Sequence, residues 1–171
     1  MALLESIKIV SGTPASQFSL RGIDDKIYTL DSFKDAKVLV VVFMCNHCPY
    51  VQAIWGRLVS LQERFKANGV QFVGINPNVA NKDYEEETFE MMKEYANRYK
   101  MNFPYLVDED QSVAREYKAQ CTPDIYAYDV ELKLAYHGKV EEELAPAIEA
   151  ILKGELVEEQ KPSIGCSIKW V

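Results

Sequence analysis

Two cysteines separated by two residues, Cys45-Asn46-His47-Cys48, followed at once by Pro49, are the residues of this chain best suited to chemistry. A thiol becomes a nucleophile when it loses its proton. The start of a helix favours that loss through unsatisfied backbone N–H groups and the positive end of the helix dipole. Pro49 costs little within a first turn and pre-sets the backbone there, which points to a helix starting near Asn46 with Cys45 at its N-terminus. The spacing then sets Cys48 one turn along the same face, close enough for the two sulfurs to close a small ring. In such a pair Cys45 attacks a substrate disulfide and Cys48 resolves the mixed disulfide. His47, when protonated, adds positive charge beside both sulfurs and favours the Cys45 thiolate, making the disulfide more oxidising than in a pair without it.

Other readings of these thiols stay open. Cys45 and Cys48 can be packed core thiols, or soft metal ligands together with His47 and Cys121. A structural zinc site normally carries a second closely spaced Cys/His pair, which is absent here, so redox chemistry is favoured and neither a metal nor another cofactor is expected. A metal-binding protein or redox sensor remains the alternative to an enzyme. Cys121 stands two residues before Pro123, and Cys166 lies near the C-terminus. Each reads either as packing or as an auxiliary thiol. His137, beside Gly138, reads as a turn-side hydrogen-bonding residue; Tyr50 and Trp55 read as core, as rim, or as the wall of an apolar substrate groove. The acidic run from Asp83 to Glu87 reads as a solvated helix start.

The elements that must position these residues follow from apolar patterning. Val38 to Phe43 is an unbroken apolar run, expected of a central strand buried on both faces of a largely parallel sheet. From Tyr50 to Phe65, Val51, Ile54, Trp55, Leu58, Leu61 and Phe65 recur at helical spacing, with Asn68-Gly69 as a stop. The cysteines therefore sit where strand gives way to helix. Val70 to Ile75 is a second strand, and a helix follows with Phe89, Met92, Ala96 and Tyr99 on one face. Phe103 to Val107 reads as a strand, Ser112 to Tyr117 as a short helix, Asp124 to Tyr128 and Leu132 to His137 as a hairpin, and Glu142 to Lys153 as a closing helix. Phe18-Ser19-Leu20 and Ile27 to Leu30 flank a polar turn, so a β-hairpin opens the chain. This order predicts an α/β domain with a mixed sheet flanked by helices. Residues 1–171 form one domain, with 155–171 as a tail that can lie extended against the body.

Composition narrows the function classes. The chain has 171 residues, 48% of them hydrophobic, enough for one sizeable core. A net charge of −7, with no basic cluster, argues against nucleic acid. The first residues lack the pattern of a signal peptide and no stretch is long enough for a membrane span, so a cytoplasmic address without a membrane partner is expected.

Phe43-Met44-Cys45-Asn46-His47-Cys48-Pro49-Tyr50-Val51, Gly74-Ile75-Asn76, Phe103 to Asp108, Thr122-Pro123, His137-Gly138 and Gly165 to Trp170 give the chain a resemblance over nearly its whole length. It resembles the peroxiredoxin-like branch of the thioredoxin superfamily, the redoxin-domain, AhpC/TSA-like proteins described as thiol–disulfide isomerases. The resemblance implies a thioredoxin-like fold with an N-terminal hairpin extension, and thiol–disulfide exchange with protein or small-thiol substrates and a separate electron donor. It also implies that Pro123 is a cis-proline packed beside the active-site cysteines, with the backbone before it, at Thr122, free to pair with substrate. Two departures qualify this. Peroxiredoxins resemble Pro-x-x-x-Thr-x-x-Cys at the peroxidatic thiol. Counted back from Cys48 the Thr and Pro positions hold Cys45 and Val41, and counted back from Cys45 they hold Val42 and Val38, which weakens the peroxidase alternative. Thioredoxins carry a buried acid six residues before the first cysteine, where this chain has Leu39, so a proton acceptor must come from elsewhere or be water.

Overall fold

The computed structural model describes residues 2–171. Its central strand is β4, and the reason is visible in its side chains. β1 (Leu3–Glu5), β2 (Ser19–Gly22) and β3 (Ile27–Thr29) precede β4 (Val38–Phe43), every residue of which is buried. Successive side chains of a strand point to opposite faces. Val38, Val40 and Val42 enter one core, and Leu39, Val41 and Phe43 enter the other.

The following elements alternate as the apolar pattern predicts. α1 (Pro49–Phe65) leads to β5 (Val70–Asn76), α2 (Phe89–Arg98), β6 (Tyr105–Val107) and α3 (Ser112–Glu116). Then come β7 (Cys121–Thr122), β8 (Asp124–Tyr128), β9 (Leu134–Gly138), α4 (Leu144–Leu152) and β10 (Ile164–Ser167). The main sheet runs β3-β2-β6-β5-β4-β8-β9. β4 is parallel to β5 and antiparallel to β8, so the sheet is mixed. The opening hairpin is β2–β3, joined to the sheet edge through β6.

Helices cover both faces of this sheet. α1, α2 and α4 pack their apolar stripes into the core that receives Val40, with Trp55 of α1 stacked on Tyr99 at 4.8 Å between ring centres. α3 contributes Val113 and Ala114 to the opposite core. All six apolar residues picked out along α1 are buried. No helix among the described residues is long and apolar enough to cross a membrane.

A second, three-stranded sheet, β1-β10-β7, was not foreseen as a sheet. The tail does lie extended, and its strand β10 is inserted between β1 and β7: Cys166 pairs with Leu3 on one side and with Thr122 on the other. Gly165 makes this approach possible. A Cβ there would stand 2.1 Å from the Thr122 carbonyl oxygen, so only glycine lets the strands meet.

Candidate active site

The register of β4 against β8 builds the site. Phe43 pairs with Asp124 in antiparallel ladder. Continuing the two chains by two residues brings Cys45 opposite Thr122, and the Cys45 sulfur lies 3.3 Å from Thr122 Oγ1. The Thr122–Pro123 peptide is cis, as the resemblance implied. Cys48 Sγ stands 3.4 Å from the Thr122 carbonyl oxygen, so one residue touches both sulfurs. All four cysteines are free thiols and buried.

Helix α1 starts later than the sequence suggested. Cys48, with extended backbone angles, is its N-cap and Pro49 its first residue. Asn46 and His47 are held out of the helix by a residue from far downstream. Both Asn46 N–H and His47 N–H donate to the carboxylate of Glu87, at 2.8 and 2.9 Å, and His47 Nδ1 meets the same Oε1. Asn76 Nδ2 donates to the other oxygen at 2.9 Å. Glu87 is thus a buried hub of the site, not part of a solvated helix start; that start is Thr88, whose side chain caps α2. The reading of Asp83 to Glu87 as solvent-facing fails at its last residue because a buried carboxylate is tolerable only when its acceptors are filled.

Asn46 is fully buried and tied on three sides. Tyr105 OH donates to its Oδ1 at 2.8 Å, its Nδ2 donates to the Glu86 carbonyl, and its carbonyl accepts from Gln52 Nε2. His47 is largely buried, its side chain 12% exposed, and stacks on Tyr84. The loop between the cysteines is therefore rigidly anchored, with one imidazole at its rim.

The acidities differ from expectation. Burial pushes the Cys45 thiol well above its ordinary range, helped by the hydrogen bond it gives to Cys48 and by the negative charge of Glu87. Cys48 is instead lowered to about 5, chiefly by that same bond from Cys45, against an opposing effect of burial. The thiol whose acidity is raised is thus Cys48, at the N-cap of α1, rather than Cys45. His47 is raised by its bond to Glu87, so it holds its proton more firmly beside the sulfurs.

The remaining candidates divide clearly. Cys166 joins the centre, with its sulfur 2.9 Å from Cys48 Sγ. Cys121 does not reach a sulfur; its thiol faces the Pro123 and Ser163 carbonyls at 3.9 and 4.0 Å, and burial raises it. The backbone at Thr122 is not free for a substrate, because β10 already pairs with it. His137 is not turn-side: its Nε2 is 2.8 Å from Asp124 Oδ1 on the face of the main sheet, both residues being buried. Trp55 is core, and Tyr50 is exposed on α1. Leu39, at the position of the thioredoxin acid, belongs to the core on the far face of the sheet from the cysteines. The buried acid beside the thiols is Glu87. The grouping of ligand-type atoms in the structure is Cys45, His47 and Glu87, within 4.8 Å of one another, rather than a set including Cys121. The Glu87 oxygens are already engaged by amide and imidazole donors.

The sequence profile of the AhpC/TSA family matches residues 11–140. A chloroplastic peroxiredoxin Q of Oryza sativa subsp. japonica is 27% identical over 110 residues, 64% of this chain and 46% of that protein, so the chain spans about half the length of the curated relatives it matches. Among solved structures, an uncharacterised conserved protein of Geobacillus kaustophilus is 39% identical with a TM-score of 0.96, covering 100% of this chain and 97% of that one. A hypothetical protein of Sinorhizobium meliloti 1021 is 38% identical with a TM-score of 0.94, covering 98% of each. The thioredoxin domain of a Bacteroides vulgatus thiol-disulfide oxidoreductase, 18% identical, shares the fold with a TM-score of 0.73 over 85% of this chain and 99% of that one. The thioredoxin-like α/β fold read from the sequence is the fold of this chain.

Proposed function

Because this chain belongs to the AhpC/TSA family, we propose that it is a thiol–disulfide oxidoreductase exchanging the Cys45/Cys48 dithiol with protein or small-thiol disulfides. The observation that supports this most directly is the placement of both thiols around one residue, Cys45 Sγ 3.3 Å from Thr122 Oγ1 and Cys48 Sγ 3.4 Å from the Thr122 carbonyl oxygen. Loss of its proton leaves Cys45 as thiolate, with the Thr122 hydroxyl as donor and His47 beside it.

Cys45 then attacks a substrate sulfur, and the leaving thiolate takes a proton. Cys48 attacks the Cys45 sulfur of the mixed disulfide and expels the second substrate thiol. The substrate disulfide is reduced and Cys45–Cys48 is oxidised, to be reduced again by an electron donor such as the thiols of a reducing cytoplasm. Cys48 suits the resolving role because it is enclosed by Cys166 and the Thr122 carbonyl, away from an incoming disulfide. Both sulfurs are buried, so a substrate must first displace part of their cover.

Insulin-disulfide reduction compared with hydroperoxide consumption tests the reading. Reduction of insulin that is lost in Cys45→Ser, with a trapped mixed disulfide in Cys48→Ser, is the expected result. Consumption of peroxide without disulfide exchange would overturn it.

A further inference from the structure

Cys166 Sγ is in direct contact with Cys48 Sγ, 2.9 Å away. Cys166 is brought there by backbone, not by a flexible side chain. It sits in the middle of β10, in register with Thr122 and Leu3, and Gly165 beside it permits the close strand contact. Thr122 also touches both Cys45 and Cys48, so the same residue positions all three sulfurs. Of the thiols outside the Cys45/Cys48 pair, only Cys166 is so placed; Cys121 bonds to carbonyls instead.

We propose that Cys166 is a third redox thiol of this centre, which takes over the disulfide from Cys45 by attack on Cys48. The proposal rests on the exchange reading above. Starting from the Cys45–Cys48 disulfide, the Cys166 sulfur attacks Cys48 Sγ. The Cys48–Cys166 bond forms, the Cys45–Cys48 bond breaks, and the electron pair leaves on Cys45 Sγ. The proton given up by Cys166 ends on Cys45, so one thiol and one disulfide are present before and after, and no oxidant is consumed. The outcome is a chain that stays oxidised while Cys45 returns to the thiol state.

In the reduced centre Cys166 is pushed up to about 12, first by burial and then by its contact with Cys48. Once Cys48 is bonded to Cys45 the charge on Cys48 is gone; burial still holds the Cys166 thiol up, and the ammonium of Lys169 is the nearby charge that favours its thiolate. Cys48 thus stands between two thiols, each able to hold it.

Disulfide mapping decides the matter in the unmodified protein. The reduced chain is treated with one equivalent of oxidised glutathione, quenched with acid, alkylated under denaturing conditions and digested with trypsin. Cys45 and Cys48 then share the peptide 38–57, and Cys166 lies in 154–169. The expected product includes 38–57 joined to 154–169, with Cys45 alkylated. Cys166→Ala is expected to lose that joined peptide and to keep the Cys45–Cys48 bond. Wild-type protein that yields Cys45–Cys48 alone, with 154–169 alkylated and unlinked, overturns the role of Cys166 and leaves the exchange reading standing. Four alkylated cysteines with no disulfide overturn both.

Discussion

Glu87 and His47 are 40 residues apart in sequence, yet the Glu87 carboxylate receives both the backbone N–H and the ring nitrogen of His47. The same carboxylate takes the Asn46 N–H, so a single acid sets the path of the loop between the two cysteines and the charge of its only imidazole. Its cost is a negative charge that opposes ionisation of Cys45. The site therefore sets its imidazole against the clamp and its more acidic thiol, Cys48, one residue beyond it.

Glu87→Gln keeps the volume and removes the charge. His47 binds its proton more tightly when folded, so its contribution to stability is complete below its ordinary value of 6.5 and is lost as pH rises through the folded value. The His47 midpoint, followed by NMR, is expected to fall toward 6.5 in the variant. An unchanged midpoint would show that Glu87 does not set it. Glu87→Ala, which leaves the Asn46, His47 and Asn76 donors without their acceptor, is expected to cost about 3 kcal/mol in denaturant unfolding.

Thiolate absorbance of the reduced protein should titrate with a midpoint near 5, and the signal should vanish in Cys48→Ser. In Cys45→Ala it should persist at higher pH, since the largest lowering influence is gone. The folded value is depressed from the ordinary 9.0, so the stability Cys48 confers is fully present above 9.0 and is lost as pH falls toward about 5. Urea unfolding of reduced wild type and Cys48→Ser across that window checks the sign: the gap between them must narrow as the solution is acidified.

Thr122→Val retains the shape of the side chain but removes the hydroxyl 3.3 Å from Cys45. That hydroxyl favours the Cys45 thiolate, against the burial that opposes it. Losing one such bond is worth about 1 kcal/mol, which corresponds to a roughly fivefold slower exchange. Single-turnover formation of the mixed disulfide is the measurement, and a rate equal to wild type would remove Thr122 from the chemistry.

Gly165→Ala forces a Cβ against the Thr122 carbonyl and must push β10 away from β7. A stability loss of about 1–3 kcal/mol is expected, as for other overpacked sites. The same shift separates Cys166 from Cys48, so native-state alkylation of Cys48 should accelerate. Slower alkylation in the variant would contradict the role of β10 as a cover.

Much of this architecture is legible in the sequence because it is local or periodic. Val38 to Phe43 reads as a doubly buried strand, and the stripe from Val51 to Phe65 reads as α1, since each pattern reflects the faces it buries. The placement of Cys45 and Cys48 between them follows. The start of α1 at Pro49 instead of near Asn46 is not legible, because the residue that holds Asn46 and His47 outside the helix is Glu87. Within a run of acids nothing distinguishes Glu87 from Glu86; only tertiary structure chooses which one is buried. The acidity order of the two cysteines inverts for the same reason. The approach of Cys166 to Cys48 depends on the register of β10 against β7, where a shift of one residue would turn the thiol to the other face.

The separation of 118 residues between Cys48 and Cys166 also has a temporal meaning. A ribosome makes the dithiol first and its covering strand on the order of ten seconds later. Through that interval the nascent chain carries Cys45 and Cys48 without the β10 backbone laid over Thr122, open to any disulfide in reach. Emergence of the last strand converts an accessible nucleophile into a guarded one, so the reactivity of the newborn polypeptide differs from that of the finished molecule.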